Sequence, residues 1–135
     1  MQASREIQII RLLRCKKYNL KQIFERLRYD VVALYGFGLQ GREFAGWLLD
    51  SNINICFCFD KDLSVTSSDI QILHKYSDIH ILPDVFIITT HFWIDEIENE
   101  LKNRYNNTDV ISFRELAEEL LLLENLNGEK NEFFV

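Results

Sequence analysis

The chain has 135 residues, of which 47% are hydrophobic and 27% are charged, and its formal net charge is −6. A chain of this length forms one domain that buries roughly two-thirds of its unfolded surface, and no apolar run approaches the roughly 18 residues of a membrane helix. The N-terminus lacks the apolar core of a secretory signal, and three cysteines do not suit a disulfide framework. We therefore expect a cytoplasmic protein without membrane insertion.

Residues 1–29 are predicted to form an N-terminal helical arm. Its first 28 residues carry eight Lys/Arg against Glu6 and Glu25, a net charge of +6, so the rest of the chain carries −12. Helical spacing predicts helices over about 4–16 and 20–28, the second started by a capping box of Asn19 and Gln22. Apolar residues recur at helical spacing along the arm, at Ile7, Ile10, Leu13, Leu20, Phe24 and Leu27. We expect this stripe to be buried on the same domain or in a homodimer, and we expect no nucleic-acid binding.

Strands and helices then alternate. The apolar run 30–36 predicts a strand buried on both faces, and a helix follows over 41–51. In the next strand, 52–60, alternation predicts one shared face for Ile53, Ile55, Phe57 and Phe59. An edge strand is expected at 70–73 rather than at 79–82.

The second half continues the alternation. Residues 84–90 predict a central strand, residues 92–105 a helix with Ile94, Ile97, Leu101 and Tyr105 inward, and residues 109–113 the last strand. Ser112 and Glu115 form a capping box for a helix from Phe113 to about Glu124, which should stop near Asn127 and Gly128. The pattern predicts an α/β domain over 30–126, with a tail at 127–135. Its expected architecture is a doubly wound, Rossmann-like parallel sheet in the order 3-2-1-4-5.

A glycine-rich turn, Gly36-x-Gly38-x-x-Gly41, joins the first strand to its helix. In such a turn the first glycine permits the tight bend, the second lets the backbone approach a pyrophosphate, and the third lets the helix pack closely on the strand. The alternative interpretation is that the glycines serve packing alone and the crevice is empty. Phe37 leaves this open, because its ring either packs under the loop or narrows the crevice.

Asp60 ends the second strand, where a carboxylate accepts hydrogen bonds from ribose hydroxyls. Its charge favours NAD(H) over NADP(H), although Lys61 lies beside it. S-adenosylmethionine is disfavoured, because Leu34 and Tyr35 stand where its enzymes often carry an acid. The expected cofactor is NAD(H) or another nucleotide.

Residues after the fourth strand should face the same crevice, because strands one and four meet at the topological switch point. His91 is either a proton donor or phosphate contact, or simply a polar helix start. Trp47 and Trp93 are interpreted as packing residues rather than stacking platforms. The candidate cofactor-binding residues are Gly36, Phe37, Gly38, Gln40, Gly41, Arg42, Asp60, Lys61, Thr89, Thr90 and His91. No catalytic or metal-ligating set is expected.

Residues 30 to about 120 resemble a small Rossmann-like domain of bacterial polysaccharide and sugar-biosynthesis proteins, including the nonmethylating domain attached to FkbM-type methyltransferases. The similarity lies in the strand and G-x-G-x-x-G-R turn, in F-D-K-D at 59–62, in the threonines at 89–90 with the helix after them, and in I-S-F-x-E-L at 111–116. The resemblance implies a nucleotide or nucleotide-sugar ligand and a role in cell-surface glycan biosynthesis with a larger partner protein.

Three functions follow from these observations. A nucleotide-binding module is favoured. An NAD-dependent oxidoreductase or epimerase would need a catalytic acid and base, and no Tyr-x-x-x-Lys motif occurs. The third alternative is an assembly or regulatory protein with an empty crevice.

Overall fold

A computed structural model describes residues 4–133, with side chains described as far as residue 125. Within these residues, five parallel strands form one sheet in the order β3-β2-β1-β4-β5. The strands are β1 Val31–Tyr35, β2 Asn54–Phe59, β3 Ile72–Leu73, β4 Val85–Ile88 and β5 Asp109–Ser112. The helices are α1 Arg5–Cys15, α2 Leu20–Arg26, α3 Leu39–Asp50, α4 Ile94–Arg104 and α5 Phe113–Phe133. The predicted doubly wound, Rossmann-like architecture and its strand order are confirmed.

The two faces of the sheet are covered differently. Val32 and Leu34 of β1 belong to a core with α1, α2, α3 and α5. Ala33 and Tyr35, on the opposite face, belong to a second core with α4 and the segment around Tyr76. Strand β1 is therefore buried on both faces, as its unbroken apolar sequence predicts.

The arm is part of the first core. The apolar stripe is buried from Ile7 to Phe24, and only Leu27 is largely exposed, at 40%. Three arginines of α1 form ion pairs with acidic residues of other helices, Arg5 with Glu118, Arg11 with Glu43 and Arg14 with Asp50. The predicted cap of α2 is confirmed, because the Asn19 side chain accepts a hydrogen bond from Gln22 N. The stripe is thus buried on its own chain, and the homodimer stays a prediction.

The predicted shared face of β2 is wrong. The register between β1 and β2 shifts after Val32, which pairs with Ile55, because Ala33 pairs with Phe57. Cys56 is the extra residue of this bulge, and a bulge reverses the alternation beyond it. Ile53 and Ile55 consequently lie in the arm-side core, while Phe57 and Phe59 lie in the α4-side core.

The predicted end of α5 is also wrong. The Ser112 cap is confirmed, because its Oγ accepts a hydrogen bond from Glu115 N at 3.1 Å. The helix, however, continues through Gly128 to Phe133. A glycine inside a helix costs only about 1 kcal/mol relative to alanine, which neighbouring helix-forming residues offset. Residues 134–135 of the expected tail, and 1–3 of the arm, lie outside the described residues.

Other predicted features are confirmed. The edge strand lies within 70–73, and Ile97 and Leu101 of α4 are buried, as expected. Helix α4 also carries two ion pairs, Glu98 with Lys102 and Glu100 with Arg104. None of the helices described is both long and apolar enough to cross a membrane.

Candidate functional site

The crevice at the carboxyl end of the sheet contains two adjoining cavities. The first, here called the turn cavity, is about 320 Å³ and lies against the glycine turn, the residues after β4, and Ser4 and Ile7 of the arm. The second, here called the aromatic cavity, is about 300 Å³ and is lined by Tyr35, Gly36, Asp60, Lys61, Thr90, Phe92, Trp93 and Ile97. Both volumes fall near the lower end of the range for small-molecule sites. Four residues line both cavities and so form the boundary between them, namely Gly36, Asp60, Thr90 and Phe92.

Two of the three glycines are required by the packing of the chain itself. Gly36 has φ +103°, and a Cβ there would lie 2.7 Å from Thr90 Cγ2. A Cβ on Gly41 would lie 2.4 Å from Gly36 O and 2.8 Å from Thr89 Oγ1. These glycines let the chain turn and let α3 pack against the end of β1, as the packing interpretation predicts.

Gly38 differs from both. It is exposed, its φ is −77°, and a Cβ added to it would meet nothing within 4 Å. It is the N-cap of α3 but has no side chain to cap the helix. Within the described residues, no group accepts a hydrogen bond from the backbone N–H of Gly38, Leu39 or Gln40. The backbone here is open to the crevice, and its donors are available to an anion.

Asp60 fastens the turn. Its Oδ2 accepts a hydrogen bond from Phe37 N at 2.9 Å, and its Oδ1 accepts one from Asp62 N at 2.9 Å. The sequence predicts Asp60 as a ribose ligand, which stays a prediction, and the structure shows that its carboxylate accepts two hydrogen bonds within the protein. An ionised carboxylate offers about four acceptor positions, so two remain for a ligand.

Gln40 and Thr89 are used by the protein. Gln40 Nε2 donates to Thr89 O at 2.9 Å, and Gln40 Oε1 accepts from Ser4 Oγ at 2.8 Å. The Thr89 hydroxyl donates to Gly36 O at 2.6 Å. Both side chains are buried, and they join the arm, the turn and the end of β4. They are positioning residues of the turn, and sequence patterns did not indicate the contribution of Ser4.

The bulky ring of Phe37 packs under the loop. It is 7% exposed and belongs to the arm-side core. Arg42 Nε donates to Phe37 O at 3.2 Å, and the guanidinium lies 5.4 Å from the ring centroid. Arg42 therefore stabilises the turn through its contacts with the backbone and the ring of Phe37.

The remaining predicted residues lie at the rim. Thr90 Oγ1 donates to Phe92 O at 3.1 Å and so shapes the segment before α4. His91 is exposed and lines the turn cavity. Lys61 is exposed beside the aromatic cavity, and its Nζ lies 3.8 Å from Glu100 Oε2. All the predicted residues except Gly41 and Arg42 therefore line one or both cavities. At the rim, the Thr90 hydroxyl and the Lys61 ammonium group also have partners within the protein.

The packing interpretation holds for Trp47, which is 3% exposed, and is wrong for Trp93, which is 73% exposed. Trp93 precedes the buried residue Ile97 by four positions, and this spacing places both side chains on the same face only if Trp93 is helical. In the structure α4 begins at Ile94, and Trp93 has a left-handed backbone with φ 62°. Helical periodicity does not apply to such a residue, so sequence reasoning missed the exposed pair of Phe92 and Trp93.

Cys58 lies beneath the turn. Its Sγ donates to Gly36 O at 3.5 Å, and burial raises the pKa of the thiol to about 12, with the nearby Asp60 charge adding to the effect. Cys56 lies on the opposite face of β2. Among the described residues, no three His, Cys, Asp or Glu side chains are grouped so that they could hold a metal ion.

The fold and the turn define a Rossmann-like α/β protein with a glycine-rich crevice. No protein-family model matches the sequence, and no curated protein matches it at a significant level.

Proposed function

We propose that this chain is a nucleotide-binding module that holds the phosphates of its ligand at the N-terminus of α3. The observation that supports this most strongly is the contrast among the three glycines. The packing of the chain explains Gly36 and Gly41, but it does not explain Gly38, where any small residue would fit. Close approach of a ligand to the backbone gives Gly38 a reason to lack a side chain.

The electrostatics of the turn support an anionic ligand. Helix α3 is 12 residues long, and its unpaired N–H groups carry the positive end of the helix dipole. Acidic residues are absent from its first turn. Diphosphate at this position would replace the missing side-chain cap and satisfy the free donors.

The class of nucleotide is inferred from Asp60 and from the sequence resemblance. The free acceptor positions of Asp60 suit the hydroxyls of a ribose, which supports NAD(H) or a nucleotide-sugar. The resemblance of residues 30–120 to domains of glycan-biosynthesis proteins supports action with a larger partner in that process. A binding role is favoured over an oxidoreductase or epimerase, because among the described residues that line the crevice His91 and Asp60 share no hydrogen bond that would make them a matched acid and base.

A thermal-shift panel tests the proposal. The panel contains NAD(H), NADP(H), CoA, S-adenosylmethionine, and UDP- and CDP-sugars. A ligand present at about 100 times its dissociation constant should stabilise the fold by about 2.7 kcal/mol. The compound with the largest shift is then titrated by calorimetry into the native protein and into Gly38→Ala.

Gly38→Ala should weaken binding roughly tenfold, about 1.4 kcal/mol, because the new methyl group projects where phosphate approaches. Gly46→Ala is the matched control. Gly46 lies within α3, and its added Cβ would meet only Arg14 Nη1 at 3.9 Å. Equal affinity of native protein and Gly38→Ala, or the absence of any stabilising compound, would favour the empty crevice instead.

A further inference from the structure

Phe92 and Trp93 form an exposed aromatic pair at the mouth of the crevice. Their relative exposures are 75% and 73%, whereas the other tryptophan, Trp47, is buried. Large apolar side chains that are adjacent and exposed commonly mark a site of interaction. The pair lies between the end of β4 and the start of α4, which is the segment that borders the crevice.

The backbone of this pair is fixed by hydrogen bonds, but the two side chains contribute neither to the core nor to a helix cap. Trp93 has φ 62° and ψ 26°, a left-handed conformation that side chains other than glycine and asparagine seldom adopt. It stands at the N-cap of α4 yet makes no side-chain capping bond. The Thr90 hydroxyl donates to Phe92 O, and Trp93 O accepts from Ile97 N at 2.9 Å. Neither burial nor capping accounts for an indole at this position.

The aromatic cavity lies directly beside the pair. Phe92 and Trp93 border it together with Tyr35 and Ile97, and Asp60 and Lys61 also line it. Its volume is about 300 Å³, and it adjoins the turn cavity at Gly36, Asp60, Thr90 and Phe92, which line both cavities. The crevice therefore combines free backbone donors at α3, the carboxylate of Asp60 and an aromatic surface, and both Asp60 and Phe92 line the two cavities.

We propose that Phe92 and Trp93 are the base-binding surface of the site, and that its ligand is a nucleoside diphosphate whose planar base stacks on this pair. The proposal rests on the proposed function, because the phosphate position at α3 fixes the ligand's orientation. Diphosphate at Gly38 places the ribose near Asp60 and directs the base into the aromatic cavity. Stacking uses the face of a ring and tolerates different bases, so Trp93 supplies affinity more than base identity.

The experiment compares ligands with and without a base. ADP, UDP and inorganic pyrophosphate are titrated by calorimetry into the full chain and into Trp93→Ala, Trp93→Phe and Leu63→Ala. Leu63 is the matched control, because it is 72% exposed and lines neither cavity. Tryptophan emission is followed in parallel, and buried Trp47 remains in every variant as a reporter of folding.

We expect ADP and UDP to bind the native protein at least tenfold more tightly than pyrophosphate and to quench its emission. Trp93→Ala should lose roughly tenfold or more in affinity for both nucleotides and none for pyrophosphate. Trp93→Phe should keep most of the affinity but lose the quenching, and Leu63→Ala should behave as the native protein does.

Unchanged nucleotide affinity in Trp93→Ala would overturn the base-binding role while leaving phosphate binding at α3 intact. Equal affinity of the native protein for ADP and pyrophosphate would overturn it in the same way. If none of the three compounds binds, the proposed function and this inference both fail.

Discussion

Two groups of residues in the crevice differ in what they contribute to the fold. Around the turn cavity, Gln40, Thr89 and Asp60 direct their polar groups into hydrogen bonds with the protein. At the rim, Phe92 and Trp93 are exposed and contribute little to the core. The first group consists of residues that belong to a nucleotide-binding motif and also stabilise the fold. The second group consists of residues whose presence is not explained by a contribution to stability, and these are more informative about function.

The comparison makes the turn the more sensitive region for stability. Gly41→Ala should lower the free energy of unfolding by about 3 kcal/mol, because its Cβ would lie 2.4 Å from the backbone oxygen of Gly36 and neither backbone can move freely. Urea denaturation of Gly41→Ala, Gly38→Ala and Gly46→Ala measures this.

Gly38→Ala should change the free energy of unfolding by less than about 0.5 kcal/mol, since the poorer cap is offset by a less flexible unfolded chain. Gly46→Ala should raise the free energy of unfolding by up to about 1 kcal/mol, because alanine has a higher helix propensity than glycine. Similar losses in Gly38→Ala and Gly41→Ala would remove the contrast on which the phosphate site rests.

Asp60 tests whether the turn depends on its carboxylate. Asp60→Ala should lower the free energy of unfolding by about 2 kcal/mol, because the N–H of the buried residue Phe37 loses its acceptor. Asp60→Asn retains a carbonyl oxygen and should lose about half as much. Denaturation midpoints give both values, and the exposed residue Asp69 provides the control, with an expected change within about 0.5 kcal/mol for Asp69→Ala.

A loss as small as the control's would mean that Asp60 is free for a ligand. A loss near 2 kcal/mol would require nucleotide affinities of Asp60 variants to be measured well below their melting temperatures.

The sequence predicted the sheet better than the site, and the reason is the range of the interactions. Strand order follows from the alternation of elements and the handedness of their connections, which local patterns reveal. The bonds from Ser4 to Gln40 and from Phe37 to Asp60 join residues 36 and 23 positions apart. No periodic pattern encodes such contacts. The bulge at Cys56 and the left-handed Trp93 were missed because each breaks the period on which the prediction relied.

At the aromatic rim, removal of the Trp93 side chain should not destabilise the protein. In Trp93→Gly the left-handed backbone carries no steric cost, so this variant should be about 1 kcal/mol more stable than Trp93→Ala and no less stable than the native protein. Urea denaturation, followed by circular dichroism because one fluorophore is removed, measures the three proteins. Native protein that is more stable than Trp93→Gly by over about 1 kcal/mol would show that the indole supports the fold. In that case its exposure would no longer indicate a ligand. If Trp93→Gly is at least as stable as the native protein, the left-handed backbone at Trp93 carries a conformational cost that the indole does not repay in stability. A side chain that serves binding rather than folding is expected to behave in this way.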